Sequence, residues 1–293
     1  MPELPEVEVL VRHLQPLIHD KTIRGVRVLR SKVLGGTSPA ELKRVLLGAT
    51  FVGLSRRGKY LCFKLRSRHL GGPAKLVGHL GMTGRMYLAP RRKALPKHTA
   101  VVLELGRENF VFEDTRYFGR LTLDGNSTSK LGPEPLSEDF TVCYLSVALA
   151  RSTQPIKVKL LDQSLVAGIG NIYASEALFR AGISPRLPSC KLTSNQLRRL
   201  RRAIRGVLRE AIRFGSTVPL HHGRAADGDG LFYFGRAADA PDYYEERLRV
   251  YDRAGEPCWQ CLAPIRRIVQ AGRSTFFCPR CQRLTAARRS RGL

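Results

Sequence analysis

Apolar residues near the start of the chain recur at the spacing of an α-helix. The pattern predicts a helix over residues 5–17, and its apolar face is formed by Val7, Leu10, Val11, Leu14 and Leu17. A second helix is predicted from residue 39 to about residue 47, because residues 38–41 form a capping box with proline at the first helical position. A strand is predicted between the two helices, at residues 23–28.

The apolar pattern between residues 51 and 123 is typical of β-strands. Short apolar runs are separated by glycine-containing turns, which favours an antiparallel sandwich or barrel. Strands are predicted at residues 51–54, 60–65, 76–80, 100–105, 110–112 and 119–123. Two turns are distinctive, because residues 56–59 carry three cations and residues 81–84 carry a lone methionine, Met82.

Beyond the strands the periodicity becomes helical. Residues 124–138 are rich in Gly, Ser and Pro and are predicted to link two domains. Helices are predicted at residues 156–164 and 171–180, and a long one runs from a capping box at 193–196 to about residue 214. The long helix carries a run that is typical of a solvated charged face: Arg198, Arg199, Arg201, Arg202, Arg205 and Arg209. The glycines at 168 and 170 form either a phosphate cradle or a plain turn between helices.

The charge of the chain narrows the choice of partner. Its 293 residues include 50 Lys and Arg but only 24 Asp and Glu, which gives a net charge of +26. Such an excess indicates a polyanionic partner, either nucleic acid or an acidic membrane surface. No apolar run approaches the roughly 20 residues that span a bilayer, and the acidic start, with Glu3, Glu6 and Glu8, does not resemble a signal peptide. We therefore expect an intracellular nucleic-acid-binding protein.

Four cysteines form one pattern near the end of the chain. Cys258 and Cys261 are separated from Cys278 and Cys281 by sixteen residues, so two C-x2-C pairs bracket a short segment. This spacing is typical of a tetrahedral zinc site. Disulfides are the alternative, but thiols stay reduced inside cells. One structural zinc ion is therefore predicted. The remaining cysteines are predicted to be small core residues: Cys62, Cys143 and Cys190.

The amino terminus offers a possible nucleophile. After removal of Met1, Pro2 would present a secondary amine, and an α-amino group loses its proton at a lower pH than lysine does. Such an amine can attack an electrophilic carbon and form a Schiff base. Glu3 would lie within reach of the same centre as a general acid or base. The plainer alternative is that Pro2 and Pro5 only begin the first helix.

Four motifs in the chain resemble the formamidopyrimidine-DNA glycosylase family, the helix–two-turn–helix enzymes of base excision. They lie at residues 2–8, at 79–84 (His-Leu-Gly-Met-Thr-Gly), at 168–176 (Gly-Ile-Gly-Asn-Ile-Tyr-Ala-Ser-Glu) and in the four-cysteine finger. The resemblance implies an α+β multidomain protein. A catalytic antiparallel β-sandwich would occupy residues 1–130, a helix–two-turn–helix domain with a lesion-capping loop 131–247, and a four-cysteine zinc finger 248–293.

The resemblance also implies a reaction and its catalytic residues. The family removes damaged bases from duplex DNA and cleaves the strand at the abasic site. Pro2 would attack C1′ of the damaged nucleotide, while Glu3 would assist base loss and opening of the sugar. Lys59 would donate a proton linked to β-elimination. Arg273 would grip a phosphate at the lesion and is linked to δ-elimination.

Further residues match DNA contacts of the family. They are Met82, His98, Arg116, Phe118, Arg151, Lys157 and Asn171. Met82, Arg116 and Phe118 would fill the hole left by the extruded base. Lys157 and Asn171 would hold the phosphates beside the flipped nucleotide. Without the resemblance, the methionine and the phenylalanine are more simply interpreted as core residues and the histidine as a surface residue.

The lesion class is implied by few positions. Leu4 matches the branch that acts on oxidised purines, such as 8-oxoguanine and formamidopyrimidines, whereas the oxidised-pyrimidine branch typically has glycine there. Thr115 and Tyr117 depart from the family's usual proline and second arginine, and the stretch at 232–248 is longer than usual. The alternatives are a family member that prefers oxidised pyrimidines and a non-catalytic zinc-containing DNA-binding protein. A monomer that acts on damaged duplex DNA in the cytoplasm, without membrane contact, is expected.

Overall fold

The computed structural model describes residues 2–67, 72–123, 125–214 and 248–284. The described residues up to Lys130 belong to one compact unit, and Leu131–Ala211 belong to a second unit together with the described residues from 248 onward. The lesion-capping stretch predicted at 232–248 lies outside the described residues except at its last position. No helix among the described residues is both long enough and apolar enough to cross a membrane.

Two helices of the first unit begin at capping residues, and the second of them begins at the predicted capping box. Helix α1, Leu4–Ile18, follows Glu3, whose backbone N–H donates to the Glu6 carboxylate at 2.7 Å. Helix α2, Pro39–Leu46, follows Ser38, whose hydroxyl accepts the Glu41 backbone N–H at 3.1 Å. Both helices were expected from the periodicity and the capping residues, and both are confirmed.

Two four-stranded antiparallel sheets form the rest of the first unit. Their strands are β1 Gly25–Val28, β2 Thr50–Arg57, β3 Tyr60–Arg66, β4 Pro73–His79, β5 Gly84–Pro90, β6 Thr99–Glu104, β7 Glu108–Asp114 and β8 Arg120–Thr122. The strand orders are β1-β6-β7-β5 and β2-β3-β4-β8. Phe51 and Phe63 of the second sheet pack against Phe110 of the first, with ring centroids 6.4 and 5.6 Å apart. The predicted antiparallel sandwich is confirmed.

Three local features differ from the sequence prediction. Strand β5 was not predicted, because its buried positions do not alternate strictly and it contains a glycine and a proline. Helix α3, Val142–Leu149, was also missed; it begins at Thr141, whose hydroxyl accepts the Tyr144 backbone N–H. Cys143 is exposed on this helix, so its assignment to the core was wrong.

The described residues of the second unit that precede the four-cysteine segment contain helices and no named strand. Its further helices are α4 Ile156–Leu160, α5 Asn171–Ala181 and α6 Ser194–Phe214. Helix α6 begins with the predicted capping box, because the backbone N–H groups of Thr193 and Gln196 each donate to the other's side chain, at 2.9 and 3.2 Å. Helix α4 ends at Leu160 rather than at residue 164, because Asp162 accepts both the N–H and the hydroxyl of Ser164 and closes a turn there.

The four-cysteine segment is anchored on α5 within the second unit. It contains a hairpin of β9, Arg266–Gln270, and β10, Arg273–Phe277. Its small core contains one residue of α5, Phe179, and five of the segment: Val250, Cys258, Ile265, Phe276 and Cys278. The buried Glu176 carboxylate of α5 accepts the backbone N–H groups of residues 249–251, each at 2.9 Å. Helix α5 therefore positions the finger.

Candidate active site

The predicted nucleophile lies immediately before α1. Pro2 is half-buried, and Glu3 has only 2% of its surface exposed. Helix α1 is attached to the second sheet through Glu8, whose carboxylate accepts a hydrogen bond from Arg56 of β2 at 2.9 Å. The amino terminus is therefore supported by a rigid helix and a strand.

Lys59 lies in the tight turn between β2 and β3. Gly58 adopts a left-handed conformation with φ +56°, which a side chain would disfavour. The Arg56 guanidinium donates to the Gly58 carbonyl at 3.0 Å, so the residue that anchors α1 also holds this turn. Lys59 and the amino terminus thus share one framework in the first unit.

His79 lies beside the lysine turn and was given no role from sequence, although it begins one of the quoted motifs. Its ring is 4.7 Å from that of Tyr60, and its Nδ1 accepts the Gly81 backbone N–H at 3.1 Å. Burial, followed by the charges of Lys59 and Arg120, lowers the pKa of His79 to about 4. The imidazole is therefore neutral at pH 7, with its proton on Nε2.

The low pKa of His79 predicts an acid-sensitive contribution to stability. The unfolded chain binds a proton on this histidine near pH 6.5 and the folded chain only near pH 4, so stability is lost as the pH falls through this window. His79→Gln should remove up to about 3 kcal/mol of this acid destabilisation. The check is the difference in urea-unfolding midpoint between wild type and variant at pH 7 and at pH 4.5. An equal difference at both pH values would contradict the prediction.

Met82, Arg116 and Phe118 are brought together on the surface of the first unit. The side chains of Met82 and Phe118 are 46% and 48% exposed, so neither is the core residue of the plainer interpretation. The Arg116 guanidinium approaches the Met82 sulfur at 3.4 Å and lies 4.9 Å from the centre of the Phe118 ring. The three side chains form one contiguous exposed cluster.

Asp114 organises this cluster and was not singled out from sequence. It is fully buried, and its carboxylate accepts the Thr83 hydroxyl and the backbone N–H groups of Arg116 and Gly119. These bonds join the Met82 turn to the loop at 115–119. A side chain at Gly81 would meet the Gly119 backbone at 2.6 Å, so the close approach requires glycine. One buried carboxylate thus fixes both loops.

His98 lies near Tyr117, one of the positions at which the sequence differs from the family's usual residues. Its ring centre is 6.3 Å from that of Tyr117, and the tyrosine hydroxyl lies 3.5 Å from Nδ1. Tyr117 adopts a left-handed conformation with φ +52°. The tyrosine that replaces the family's usual arginine therefore contacts a predicted DNA-binding residue.

Lys157 and Asn171 meet inside the second unit. The Lys157 ammonium donates to the Asn171 side-chain oxygen at 2.7 Å and lies 3.5 Å from the Thr275 hydroxyl. The Asn171 amide nitrogen donates to the Ser274 carbonyl at 2.9 Å. Lys157 has no exposed surface, so its charge lies behind the Asn171 amide.

The glycine turn that precedes α5 is less open to an anion than the sequence suggested. The Gly168 backbone N–H already donates to the Gln163 side-chain oxygen at 2.9 Å. Arg151 is exposed after α3, and Arg273 is exposed at the first position of β10. The tip of the finger hairpin is formed by Ala271 and Gly272, so Arg273 lies directly beside the tip, in strand β10.

The four cysteines of the finger converge on one point. Their sulfur atoms all lie within 4.8 Å of one another, and two of the separations are 3.4 and 3.9 Å. Four sulfurs at about 2.3 Å from a tetrahedral zinc ion would be about 3.8 Å apart. Backbone N–H groups of Gln260 and Cys281 also donate to cysteine sulfurs at 3.4 Å. The donor set and its spacing fit one zinc ion, as predicted from the cysteine pattern.

Three family models match consecutive parts of the chain. The formamidopyrimidine-DNA glycosylase N-terminal domain matches residues 1–121, and the formamidopyrimidine-DNA glycosylase H2TH domain matches residues 131–220. The zinc finger found in FPG and IleRS matches residues 255–284. The match thus includes the amino terminus, the helical region and the finger.

Relatives of known identity extend over nearly the whole chain. A formamidopyrimidine-DNA glycosylase of Symbiobacterium thermophilum is 42% identical and covers 96% of this chain and 89% of its own length. That of Thermus thermophilus is also 42% identical, with 96% and 98% covered. A Lactococcus lactis structure with DNA containing Fapy-dG has a TM-score of 0.82, 34% identity and coverage of 96% and 100%. Another, with DNA containing an oxidised pyrimidine, has a TM-score of 0.83, 34% identity and the same coverage. The chain therefore belongs to the formamidopyrimidine-DNA glycosylase family.

Proposed function

We propose that this protein is a bifunctional DNA glycosylase and AP lyase that excises oxidised purines from duplex DNA in base excision repair. The observation that carries the proposal is the arrangement at the amino terminus. Pro2 precedes a helix whose first capping residue is the buried Glu3, and the same framework holds Lys59. A DNA-binding protein without catalytic activity would not need these residues.

The chemistry proceeds from the Pro2 nitrogen. Its lone pair forms a bond to C1′, the glycosidic bond breaks, and the base leaves with a proton supplied at the site. Glu3 assists sugar opening, after which the nitrogen and C1′ form an iminium. Loss of a C2′ proton then expels the 3′ phosphate in β-elimination, to which Lys59 contributes a proton. A second elimination expels the 5′ phosphate, which Arg273 holds.

The remaining residues are proposed to hold the DNA open. Met82, Arg116 and Phe118 form the wedge that replaces the extruded base. Asn171, backed by the Lys157 ammonium, binds a phosphate beside the lesion, and Arg151 and His98 contribute further contacts. We also propose that the protein acts as a monomer in the bacterial cytoplasm, where the chromosome lies.

A cleavage panel tests the function and the lesion class. The duplexes carry 8-oxoguanine, a formamidopyrimidine, an oxidised pyrimidine or an abasic site. Fastest release of the two purine lesions is expected, because Leu4, buried in the first turn of α1, matches the purine branch. A Lactococcus lactis relative has been solved with an oxidised pyrimidine, which keeps the pyrimidine preference as the second candidate. Faster release of the pyrimidine would select it, and no cleavage of any duplex would contradict catalysis.

The phosphate contacts predict a strong salt dependence. Neutralising about five phosphates gives a slope of log affinity against log salt near −4.5. Lys157→Met keeps the buried aliphatic chain but removes the charge behind Asn171, so the slope should flatten by about one unit for all DNA sequences. Lys159→Met is the matched control, because Lys159 lies on the same helix and pairs with Asp162 at 2.8 Å. A wild-type slope near zero would exclude DNA as the partner.

A further inference from the structure

A line of arginine side chains runs along the solvent side of α6. Its exposed members within the second unit are Arg198, Arg202 and Arg209, which we call the α6 stripe. At 100° per residue these positions lie within an arc of about 40° and extend over about 16 Å of helix. The buried face of α6, with Leu200, Ile204 and Leu208, lies on the opposite side.

The other arginines of α6 have a different role. Arg199 donates to the Ala181 carbonyl at 3.1 Å, and Arg201 and Arg205 donate to backbone carbonyls of residues 136–140. These three attach the helix to the rest of the second unit. The α6 stripe is not needed for that attachment, because its members point away from the buried face.

Acidic side chains on α6 do not neutralise the α6 stripe. The helix contains one acidic residue, Glu210, and its carboxylate pairs with Arg180 of α5 at 2.5 Å. The arc and the roughly 20° on either side of it also contain no aromatic or aliphatic residue, since the remaining α6 positions there are Asn195, Arg205 and Arg213. Protein interfaces centre on apolar and aromatic side chains and deplete charge there, whereas a polyanion requires only the cations. The composition therefore favours a phosphate backbone over an acidic protein.

The α6 stripe is also separate from the phosphate site at Asn171. Asn171 begins α5, whereas α6 meets the other end of that helix through Ala181 and Arg180. The two ends of α5 are about 15 Å apart.

We propose that the α6 stripe binds a second segment of duplex DNA while the active site holds the first. A guanidinium group can donate two hydrogen bonds to one phosphate, and a duplex carries one negative charge per roughly 1.7 Å. A segment laid along the α6 stripe therefore presents about ten charges. An enzyme with two such surfaces passes directly from one segment to another. The inference depends on the proposed function only in taking DNA as the ligand of the first site.

A stopped-flow measurement of duplex release tests for this second surface. Protein loaded on a fluorescent duplex with a tetrahydrofuran abasic-site analogue is mixed with increasing amounts of unlabelled, undamaged duplex. The release rate should rise with competitor concentration, because transfer passes through a complex with two duplexes. Arg202→Gln with Arg209→Gln should abolish the rise and reduce the salt slope of second-duplex binding by about 1.8. Glutamine preserves helix propensity at these exposed sites.

Two comparisons make the outcome decisive. Lys43→Gln with Arg44→Gln removes the same charge from exposed positions of α2 and should retain the rise. Single-turnover cleavage of an 8-oxoguanine duplex without competitor should be unchanged in both double variants. If the wild type did not cleave this duplex, the proposed function would be refuted rather than the second surface. The proposed second surface is contradicted if the wild-type release rate does not depend on competitor concentration. It is also contradicted if both double variants lose the concentration dependence equally. If the protein bound poly-glutamate but not a second duplex, the α6 stripe would be assigned to an acidic protein partner. That result would also contradict the proposed second DNA-binding surface.

Discussion

A chain that retains one extra residue before Pro2 should bind damaged duplex but neither cleave it nor crosslink to it. The extra residue converts the secondary amine into an amide, whose nitrogen can neither attack C1′ nor form an iminium. Cleavage of an 8-oxoguanine duplex should fall by about 10³-fold or more. Sodium borohydride, which reduces the iminium and locks protein to DNA, should trap wild type but not the extended chain.

The control for this experiment uses the same chain. A protease site in the extension allows its removal to leave Pro2 at the terminus, which should restore both cleavage and trapping. Mass spectrometry of the trapped wild-type adduct identifies the attached residue. DNA attached to Lys59, with Pro2 unmodified, would contradict the assignment of the nucleophile.

Glu3→Gln extends this prediction by separating two steps of the reaction. Glu3 is assigned to base loss and sugar opening, so the variant should lose more activity on an 8-oxoguanine duplex than on a preformed abasic site. Equal losses on both substrates would indicate that Glu3 only caps α1.

Cys261→Ala should abolish binding of lesion-containing DNA while the two antiparallel sheets remain folded. The four sulfurs lie within 4.8 Å of one another and would bind one zinc ion, and structural zinc contributes roughly 10–16 kcal/mol of apparent binding energy in zinc fingers. Without it, the small core that attaches the finger to α5 opens and Arg273 loses its position. Metal analysis should give one zinc per wild-type chain and none in the variant.

The finger carries its own optical probe. Trp259 is the only tryptophan of the chain and lies between two of the cysteines, with the Arg253 guanidinium 4.4 Å from its ring. Its fluorescence should change in Cys261→Ala and on zinc chelation. Cys143→Ala, which removes an exposed thiol outside the cluster, is the matched control and should behave as wild type. Wild-type protein that contains no zinc, or undiminished DNA binding by Cys261→Ala, would contradict the prediction.

Local signals in the sequence predicted much of the fold. Apolar periodicity predicted α1, capping residues predicted the starts of α2 and α6, and the cysteine spacing predicted the zinc site, because each signal depends on residues close together in the chain. Strand β5 was missed because its buried positions do not alternate strictly, and helix α3 was missed because it buries only Leu145 and Leu149 and so has no clear apolar face.

The catalytic and DNA-contact residues were assigned through the family motifs, and their roles remain predictions. What the sequence could not reveal is how side chains distant in the chain meet. Asp114 joins two turns through Thr83 and Gly119, and Lys157 lies behind Asn171 rather than on the surface. Neither arrangement follows from a spacing rule. The one sequence signal that could have marked Asp114 is its position as an acidic residue at the end of a largely apolar strand.

The carboxylate of Asp114 has a consequence for how fast lesions are found. Because it fixes the Met82 turn and the 115–119 loop in the free protein, the three side chains of the proposed wedge would need no ordering step on binding DNA. The conformational entropy of the two loops has already been lost on folding. With the proposed function, the time spent on each base pair would then depend on how readily that pair opens, so a weakened pair would be sampled sooner than an intact one.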